Sequence, residues 1–195
     1  LEPKAIIASN GSTIFVSEIA NELKYKERTI GFHFLSNVPN SNILEFVPGV
    51  HTSDETYDTV CKFAKLIKHD YVTLQESVGL VSLRLFFVQL NEACNILMEG
   101  VASIQDIDKV LTVGYGHKQG VFRTADQMGA EKIVKLMEQM FPEYGDLRYK
   151  ASPLLNRLYR SKQYGISRKK GFYLYDDDLN IIGINKSIFR KFSNT

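Results

Sequence analysis

A histidine and a glutamate in two neighbouring strand-like segments could form an acid–base pair. His33 lies in the apolar run 29–34 and Glu45 in the apolar run 43–47. A carboxylate buried in such a run is costly unless it has a partner. If the two strands pair in register, Glu45 can bond one imidazole nitrogen of His33 and leave the other free to transfer a proton. The alternative is an ordinary core histidine, the commoner role of a lone histidine among apolar residues.

A short polar segment, residues 9–13, directly follows the first strand-like run. Ligands of open α/β sheets bind beyond the carboxyl ends of the strands, so Asn10 and Ser12 are candidates for contacts with a substrate oxygen or a cofactor amide. A polar turn that caps the next helix explains these residues equally well.

Several other kinds of site are disfavoured by the sequence. It contains neither G-x-G-x-x-G nor G-x-x-x-x-G-K-[ST], and the glycines of 114–120 follow a helical pattern. The histidines lack metal-ligand spacing, so no metal is expected. A net charge of +2 with scattered basic residues argues against nucleic acid as a partner. The apolar stretch 78–98 is interrupted by polar side chains, which favours a buried helix over a membrane span.

The two cysteines bear on the cellular compartment. Cys61 and Cys94 both lie inside apolar, helix-like segments. We interpret them as reduced core residues of a cytoplasmic protein, with a disulfide as the minor alternative.

Two kinds of pattern divide the chain into two parts. Strand-like runs at 5–8, 29–34, 43–47 and 71–74 alternate with helical patterns that begin near Ser17 and Ser53, which predicts an α/β layer over residues 1–77. Helical patterns dominate residues 78–195, beginning with a long helix at 78–99. The sequence therefore predicts an α/β part followed by an all-α part, with a hairpin after Gly171 as an open alternative for the end.

Several segments, taken in order, resemble the 3-hydroxyacyl-CoA dehydrogenase family, which includes 3-hydroxybutyryl-CoA dehydrogenases. A-S-N-G-S-T at 8–13 is similar to the family's A-S-N-T-S-S, G-F-H-F-L-S-N-V-P at 31–39 to G-x-H-F-F-N-P-V-P, and L-E-F-V at 44–47 to V-E-V-I. Further matches continue to the G-F-Y-L-Y segment at 171–175. The resemblance implies the C-terminal half of a Rossmann-type, NAD-binding sheet over residues 1–77, followed by the family's helical dimerisation domain.

The resemblance also implies roles for individual residues. The family oxidises the 3-hydroxyl group of an acyl-CoA with NAD. By this likeness His33 takes the hydroxyl proton and Glu45 orients His33. Ser12 and Ser36 would lie on the substrate side, and Asn10 would lie near the nicotinamide.

The departures from the family pattern raise a second hypothesis. The family's P-G-F-x-x-N-R is V-G-L-V-S-L-R at 78–84, so Leu83 stands where the family has a substrate-binding asparagine. Leucine cannot donate a hydrogen bond, and losing a contact that strengthens in the transition state costs about 2–4 kcal/mol. The first hypothesis is therefore an NAD-dependent 3-hydroxyacyl-CoA dehydrogenase. The second is a catalytically silent dimerisation or acyl-CoA-binding relative.

The start and the end of the sequence lead to further expectations. The glycine-rich loop that binds the NAD phosphates would precede Leu1, so the chain is expected to lack the N-terminal half of the NAD-binding domain and to be inactive alone. An uncovered sheet edge favours a homodimer, with domain swapping as one form of it. Residues 176–195 extend past the usual family end and have no assigned role.

Overall fold

The computed structural model describes Glu2 and residues 4–35 and 42–189 of the 195-residue chain. The strands are β1 (Ile7–Ser9), β2 (Thr29–Phe34), β3 (Ile43–Pro48), β4 (Asp70–Thr73), β5 (Tyr173–Tyr175) and β6 (Ile181–Ile184). The helices are α1 (Val16–Asn21), α2 (Asp54–Leu66), α3 (Leu80–Met98), α4 (Ile104–Lys109), α5 (Val121–Met128), α6 (Ala130–Tyr144) and α7 (Pro153–Arg160). Two compact units are formed by Leu1–Arg84 and Leu85–Thr195.

The first unit contains a four-stranded mixed sheet in the order β1-β2-β3-β4. β1 runs parallel to β2 and β3 runs parallel to β4, but β2 and β3 are antiparallel. The expected α/β layer is therefore present, as a mixed rather than a uniformly parallel sheet. A six-residue β2 and a six-residue β3 are buried along almost their whole length, which explains why their sequences are apolar runs rather than alternating patterns.

The core of the first unit forms between the central strands and α2. Ile30, Phe32, Leu44 and Phe46 pack in one cluster with buried residues of α2. The side chain of Ser53 accepts a hydrogen bond from the backbone N–H of Thr56. This bond confirms that α2 begins at Ser53, as the sequence predicts.

A glycine allows the close pairing of the two central strands. Gly31 lies opposite Val47, and a Cβ atom built at Gly31 would lie 2.8 Å from the Cβ of Val47. Real Cβ atoms essentially never approach this closely, so any side chain at position 31 would push β2 and β3 apart.

Ser17 is not the N-cap that its sequence predicts. It lies inside α1, where its backbone N–H and its hydroxyl both donate to the carboxylate of Glu76, at 2.7 and 2.6 Å. The carboxylate of Glu76, rather than the side chain of the N-cap residue Phe15, satisfies the Ser17 amide near the start of α1.

The second unit is mainly helical but is not all-α. β5 and β6 form a two-stranded antiparallel sheet, so the all-α prediction for residues 78–195 is wrong at this point. Residues 176–189, for which the sequence indicated no role, supply the turn, β6 and a short 3₁₀ helix at Lys186–Phe189. Within this segment Asn185 is buried, and its Nδ2 donates to the carbonyl of Gly171 at 2.6 Å.

A buried aspartate, Asp108, ties α4 and α5 of the second unit to its hairpin. Asp108 of α4 accepts from the backbone N–H groups of Phe122 and Arg123, and thereby caps α5, whose own N-cap residue is Gly120. The hydroxyl of Tyr173 in β5 donates to the same carboxylate at 2.9 Å. A Cβ at Gly120 would lie 2.0 Å from Asp108 Cγ, so the position requires glycine.

Asn91 of α3 holds an irregular segment of the second unit in place. Its Nδ2 donates to the carbonyls of Arg148 and Lys150, and its Oδ1 accepts from the backbone N–H of Ser152. One buried side chain thus satisfies three backbone groups that have no helix or strand partner.

The helix α3 is long and apolar enough, by length and composition, to cross a membrane, and 44% of its most apolar 18-residue window is buried in the structure. This is weak evidence for a membrane span, because the core helix of a folded domain meets the same criteria. The predicted domain boundary after residue 77 stays a prediction; the two compact units divide after Arg84, inside the first turns of α3. Cys61 and Cys94 are both buried and free.

Candidate active site

The antiparallel register of β2 and β3 places His33 directly opposite Glu45. The Nδ1 atom of His33 lies 2.7 Å from Oε2 of Glu45, which is hydrogen-bond distance. Both residues are buried, with exposed fractions of 8% for His33 and 2% for Glu45. The pairing inferred from two strand-like runs is therefore present in the fold.

Strand direction brings this pair to the sheet edge where ligands bind in α/β proteins. β1 and β2 are parallel, so the polar segment after β1 and the end of β2 that carries His33 lie at the same edge. β3 runs in the opposite direction, and its beginning, with Glu45, therefore reaches that edge as well.

The polar segment after β1 is anchored at both of the residues that the sequence indicated. Oδ1 of Asn10 accepts from the backbone N–H of Phe34 at 2.9 Å, beside His33. The carbonyl of Ser12 accepts from the backbone N–H of Gly79 at 2.6 Å, just before α3 begins. Asn10 is exposed and Ser12 is partly buried.

Glu45 has a second partner, Ser82, in the first turn of α3. The backbone N–H of Ser82 donates to Oε1 of Glu45 at 2.9 Å, and the Ser82 hydroxyl donates to Oε2 at 2.8 Å. Burial alone would raise the pKa of Glu45, but the hydrogen bonds from His33 and from the side chain and backbone of Ser82 outweigh it. The pKa of Glu45 is therefore lowered, and the carboxylate is held ionised.

The turn that leads into α3 is conformationally unusual. Gly79 has a φ of 83° and Leu80 a φ of 49°, so a leucine adopts the left-handed region that favours glycine. Leu80 is buried against Val16 and Val47, and this packing holds it in place. The strained turn directs the first amides of α3 towards Glu45, which fits the frequent occurrence of such strain at functional sites.

The remaining predicted site residues have different outcomes. Ser36 lies outside the described residues. Leu83 is buried, with an exposed fraction of 7%, and offers no polar group. Ser82 was missed from the sequence; the available signal was a hydroxyl in an otherwise apolar run, one turn into a helix. Among the residues that the structure describes, no group of three or more histidine, cysteine, aspartate or glutamate side chains could hold a metal ion.

Comparison with known proteins finds two family models that match consecutive parts of the chain. The family model described as 3-hydroxyacyl-CoA dehydrogenase, NAD binding domain, matches residues 1–77. The model described as 3-hydroxyacyl-CoA dehydrogenase, C-terminal domain, matches residues 79–175. The chain belongs to the 3-hydroxyacyl-CoA dehydrogenase family. The expectation that the N-terminal half of the NAD-binding domain, with its phosphate-binding loop, is lacking is not supported, because the NAD-binding model covers residues 1–77.

Individual members of the family are similar over most of this chain. It is 36% identical over 171 residues to a 3-hydroxybutyryl-CoA dehydrogenase of Clostridioides difficile, an alignment that covers 88% of this chain and 61% of that protein. It is 33% identical over 175 residues to a probable 3-hydroxybutyryl-CoA dehydrogenase of Bacillus subtilis, covering 90% and 61%. The crystal structure of (S)-3-hydroxybutyryl-CoA dehydrogenase from Ralstonia eutropha superimposes with a TM-score of 0.83 at 31% identity, covering 90% and 62%. The chain thus spans less than two thirds of the length of these relatives.

Proposed function

We propose that this protein is an NAD-dependent 3-hydroxyacyl-CoA dehydrogenase in which His33 and Glu45 form the acid–base pair. The observation that carries the proposal is the 2.7 Å contact between His33 Nδ1 and Glu45 Oε2, in a family whose named members are dehydrogenases. The carboxylate has a lowered pKa, so it is ready to stabilise a positive charge on the imidazole.

The pair supports proton transfer through one defined atom, Nε2 of His33. With Glu45 ionised, the proton of neutral His33 lies on Nδ1, where it is donated to Oε2. The Nε2 atom then carries a lone pair and accepts the proton of a substrate 3-hydroxyl group. The charge that develops on the imidazole is balanced by Glu45, which stays ionised throughout. In the reverse direction the same Nε2 returns the proton to the oxygen of a 3-oxoacyl group.

The polar segment after β1 fits a ligand at the same edge. Oδ1 of Asn10 is taken up by Phe34, which leaves its amide nitrogen to donate to the nicotinamide. The carbonyl of Ser12 accepts a hydrogen bond from Gly79, which holds the Ser12 backbone in place. The Ser12 hydroxyl can then donate a hydrogen bond to the substrate oxygen from a defined position. Asn10 would hold the nicotinamide of NAD, which would supply the hydride acceptor for carbon 3, while Ser12 and His33 align the substrate oxygen and transfer its proton.

Leu83 favours one competing function, a catalytically silent acyl-CoA-binding or dimerisation protein. The side chain is apolar and buried in the first turn of α3, one residue from Ser82. If the family's asparagine contact at this position is needed for the chemistry, its loss lowers kcat/KM by roughly 30- to 1000-fold. The intact pair of His33 and Glu45 supports the dehydrogenase instead.

The deciding experiment is NADH-dependent reduction of acetoacetyl-CoA by the native protein and two variants. His33→Ala is expected to lower kcat by roughly 100-fold or more, because the proton donor is lost. His51→Ala is the matched control, since it removes an exposed histidine of the same unit. Activity in the native protein and in the control, but not in His33→Ala, supports the dehydrogenase.

The competing function makes a different prediction. It expects no turnover in the native protein while acyl-CoA still binds, as measured by calorimetry. The variant Leu83→Asn then distinguishes the loss of one hydrogen-bond donor from a general loss of the active site. If this variant restores turnover, Leu83 is the cause of the inactivity. Equal activity in the native protein and His33→Ala would contradict the proposed role of His33.

We also propose a homodimer that binds an acyl-CoA substrate, and light scattering tests the oligomeric state. The proposal is supported by apolar side chains on the part of α3 that belongs to the second unit, where Leu85 and Val88 lie three residues apart and are 69% and 38% exposed. A monomeric mass at micromolar concentration would overturn it. The cytoplasmic location stays a prediction.

A further inference from the structure

The carboxylate of Glu45 accepts three hydrogen bonds, and two of them come from one residue. His33 donates to Oε2 only, through Nδ1 at 2.7 Å. Ser82 donates to both oxygens, from its backbone N–H to Oε1 and from its hydroxyl to Oε2. Within the described residues, Ser82 is therefore the partner that reaches both oxygens of the carboxylate.

A single hydrogen bond from His33 would leave the carboxylate free to rotate about its last side-chain bond. Terminal carboxyl torsions are broad, so one contact does not define the plane of the group. Two donors of fixed separation, one on each oxygen, do define it. The backbone N–H belongs to the first turn of a 19-residue helix, and its position is set by the helix rather than by Glu45. The helix N-terminus also favours a negative charge.

We propose that Ser82 is a positioning residue that holds the plane of the Glu45 carboxylate, so that Oε2 faces Nδ1 of His33. The inference rests on the proposed dehydrogenase function and deepens it, because it names the residue that orients the acid–base pair. Ser82 acts through Glu45; its hydroxyl is engaged at 2.8 Å and has no part in the transfer itself.

The proposal requires the hydroxyl and not merely a small side chain at position 82. Ser82→Ala removes the donor to Oε2 but keeps the backbone N–H to Oε1. Ser82→Thr keeps both donors, and Ser82→Cys keeps the size of the side chain with a weak donor. Ser53→Ala is the control for helix capping, because Ser53 caps α2 and does not contact Glu45.

The first measurement is the titration of the Glu45 carboxyl by NMR in protein labelled with ¹³C-glutamate, with the signal assigned by Glu45→Gln. The pKa of Glu45 is expected to rise in Ser82→Ala, since one of the hydrogen bonds that lower it is lost. It is expected to stay at the native value in Ser82→Thr and in Ser53→Ala, and to rise less in Ser82→Cys than in Ser82→Ala. An unchanged titration in Ser82→Ala overturns the proposal.

The second measurement is the pH profile of acetoacetyl-CoA reduction. In Ser82→Ala we expect kcat to fall by roughly 10- to 100-fold with KM within about twofold of native, because a misaligned pair weakens the chemical step rather than binding. The acid limb of kcat/KM should move to higher pH, and Ser82→Thr should restore both values. A merely structural role lowers stability in Ser82→Ala and Ser53→Ala alike and leaves the acid limb in place, which contradicts the proposal.

The two measurements separate the failure of this inference from the failure of the proposed function. If the native protein has no dehydrogenase activity, the proposed function fails, while the carboxyl titration still decides whether Ser82 controls Glu45. If the native protein is active and Ser82→Ala matches it in titration and kcat, the proposed function stands and Ser82 has no positioning role.

Discussion

Replacement of Asp126 tests how burial and hydrogen bonding compete in the second unit. Asp126 has an exposed fraction of 3%, and its carboxylate accepts from the backbone N–H groups of Phe172 and Tyr173 and from the hydroxyl of Tyr175, each at 2.8 Å. Burial raises the pKa of Asp126 to about 6, although these donors and the charge of Arg123 act in the opposite direction. The usual value, which applies to the unfolded chain, is 3.8.

The raised pKa has a definite consequence for stability. Between pH 3.8 and about 6 the folded protein binds the proton of Asp126 more tightly than the unfolded chain does. The stability that this group contributes is therefore fully present below pH 3.8, falls as the pH rises to about 6, and is constant above. The gap between the two pKa values corresponds to about 3 kcal/mol.

Asp126→Asn removes this titration. The free energy of unfolding is measured with urea between about pH 4 and pH 8. In the native protein it is expected to fall as Asp126 ionises, and in the variant this contribution is expected to be absent. The free energy of unfolding of the native protein minus that of the variant should therefore fall by about 2 kcal/mol between pH 4 and pH 8, because part of the full gap is already lost at pH 4. Asp178→Asn is the matched control, because it removes the same charge from an exposed position in the β5–β6 turn.

The opposite trend would refute the reasoning. If the difference grows as the pH rises, the donors around Asp126 outweigh its burial and its pKa in the folded protein lies below 3.8. A difference that is constant with pH would mean that burial and hydrogen bonding cancel at this site.

Three further predictions concern stability. Gly120→Ala should lower the free energy of unfolding by about 3 kcal/mol, because the new Cβ would overlap Asp108. The control Gly114→Ala should be tolerated, because its Cβ would lie 3.9 Å from the nearest neighbouring atom. Equal melting temperatures of the two variants would contradict this prediction. Asn91→Leu should cost about 3 kcal/mol or more in urea unfolding, because it leaves three backbone groups without their partner, and a loss under about 1 kcal/mol would show that water replaces the amide. Gly31→Ala should destabilise the first unit by about 1–3 kcal/mol, because the new side chain would push β2 and β3 apart. Hydrogen exchange of the β2 amides should then increase, and unchanged exchange would exclude the predicted separation of the two strands.

The sequence predicted the contact between His33 and Glu45 because two local rules agreed on it. Runs of apolar residues marked β2 and β3 within one residue of their ends, and the buried Glu45 required a partner. Antiparallel pairing of consecutive strands was enough to bring His33 opposite Glu45. The cap at Ser53 followed in the same way from a short-range rule, since the donor lies three residues away.

The features that the sequence did not predict depend on distant parts of the chain. Ser17 looks like a helix cap, but it donates to Glu76, 59 residues away. Ser82 looks like one hydroxyl in an apolar helix, but it contacts a carboxylate 37 residues away. Local patterns carry no information about such partners, because these depend on how the helices and the sheet pack together. The β5–β6 hairpin was left open because its turn residues are not diagnostic.

Glu45 and Asp126 show why burial alone does not identify a functional carboxylate in this chain. Both are almost fully buried and both accept three hydrogen bonds, yet the pKa of Glu45 is lowered and that of Asp126 is raised to about 6. The donors of Asp126 are two backbone amides and a phenol, none of which takes up a proton. One donor of Glu45 is His33, which becomes a cation when it accepts a proton and is then stabilised by the carboxylate. This difference in donors supports the proposed acid–base role of Glu45 and a structural role of Asp126.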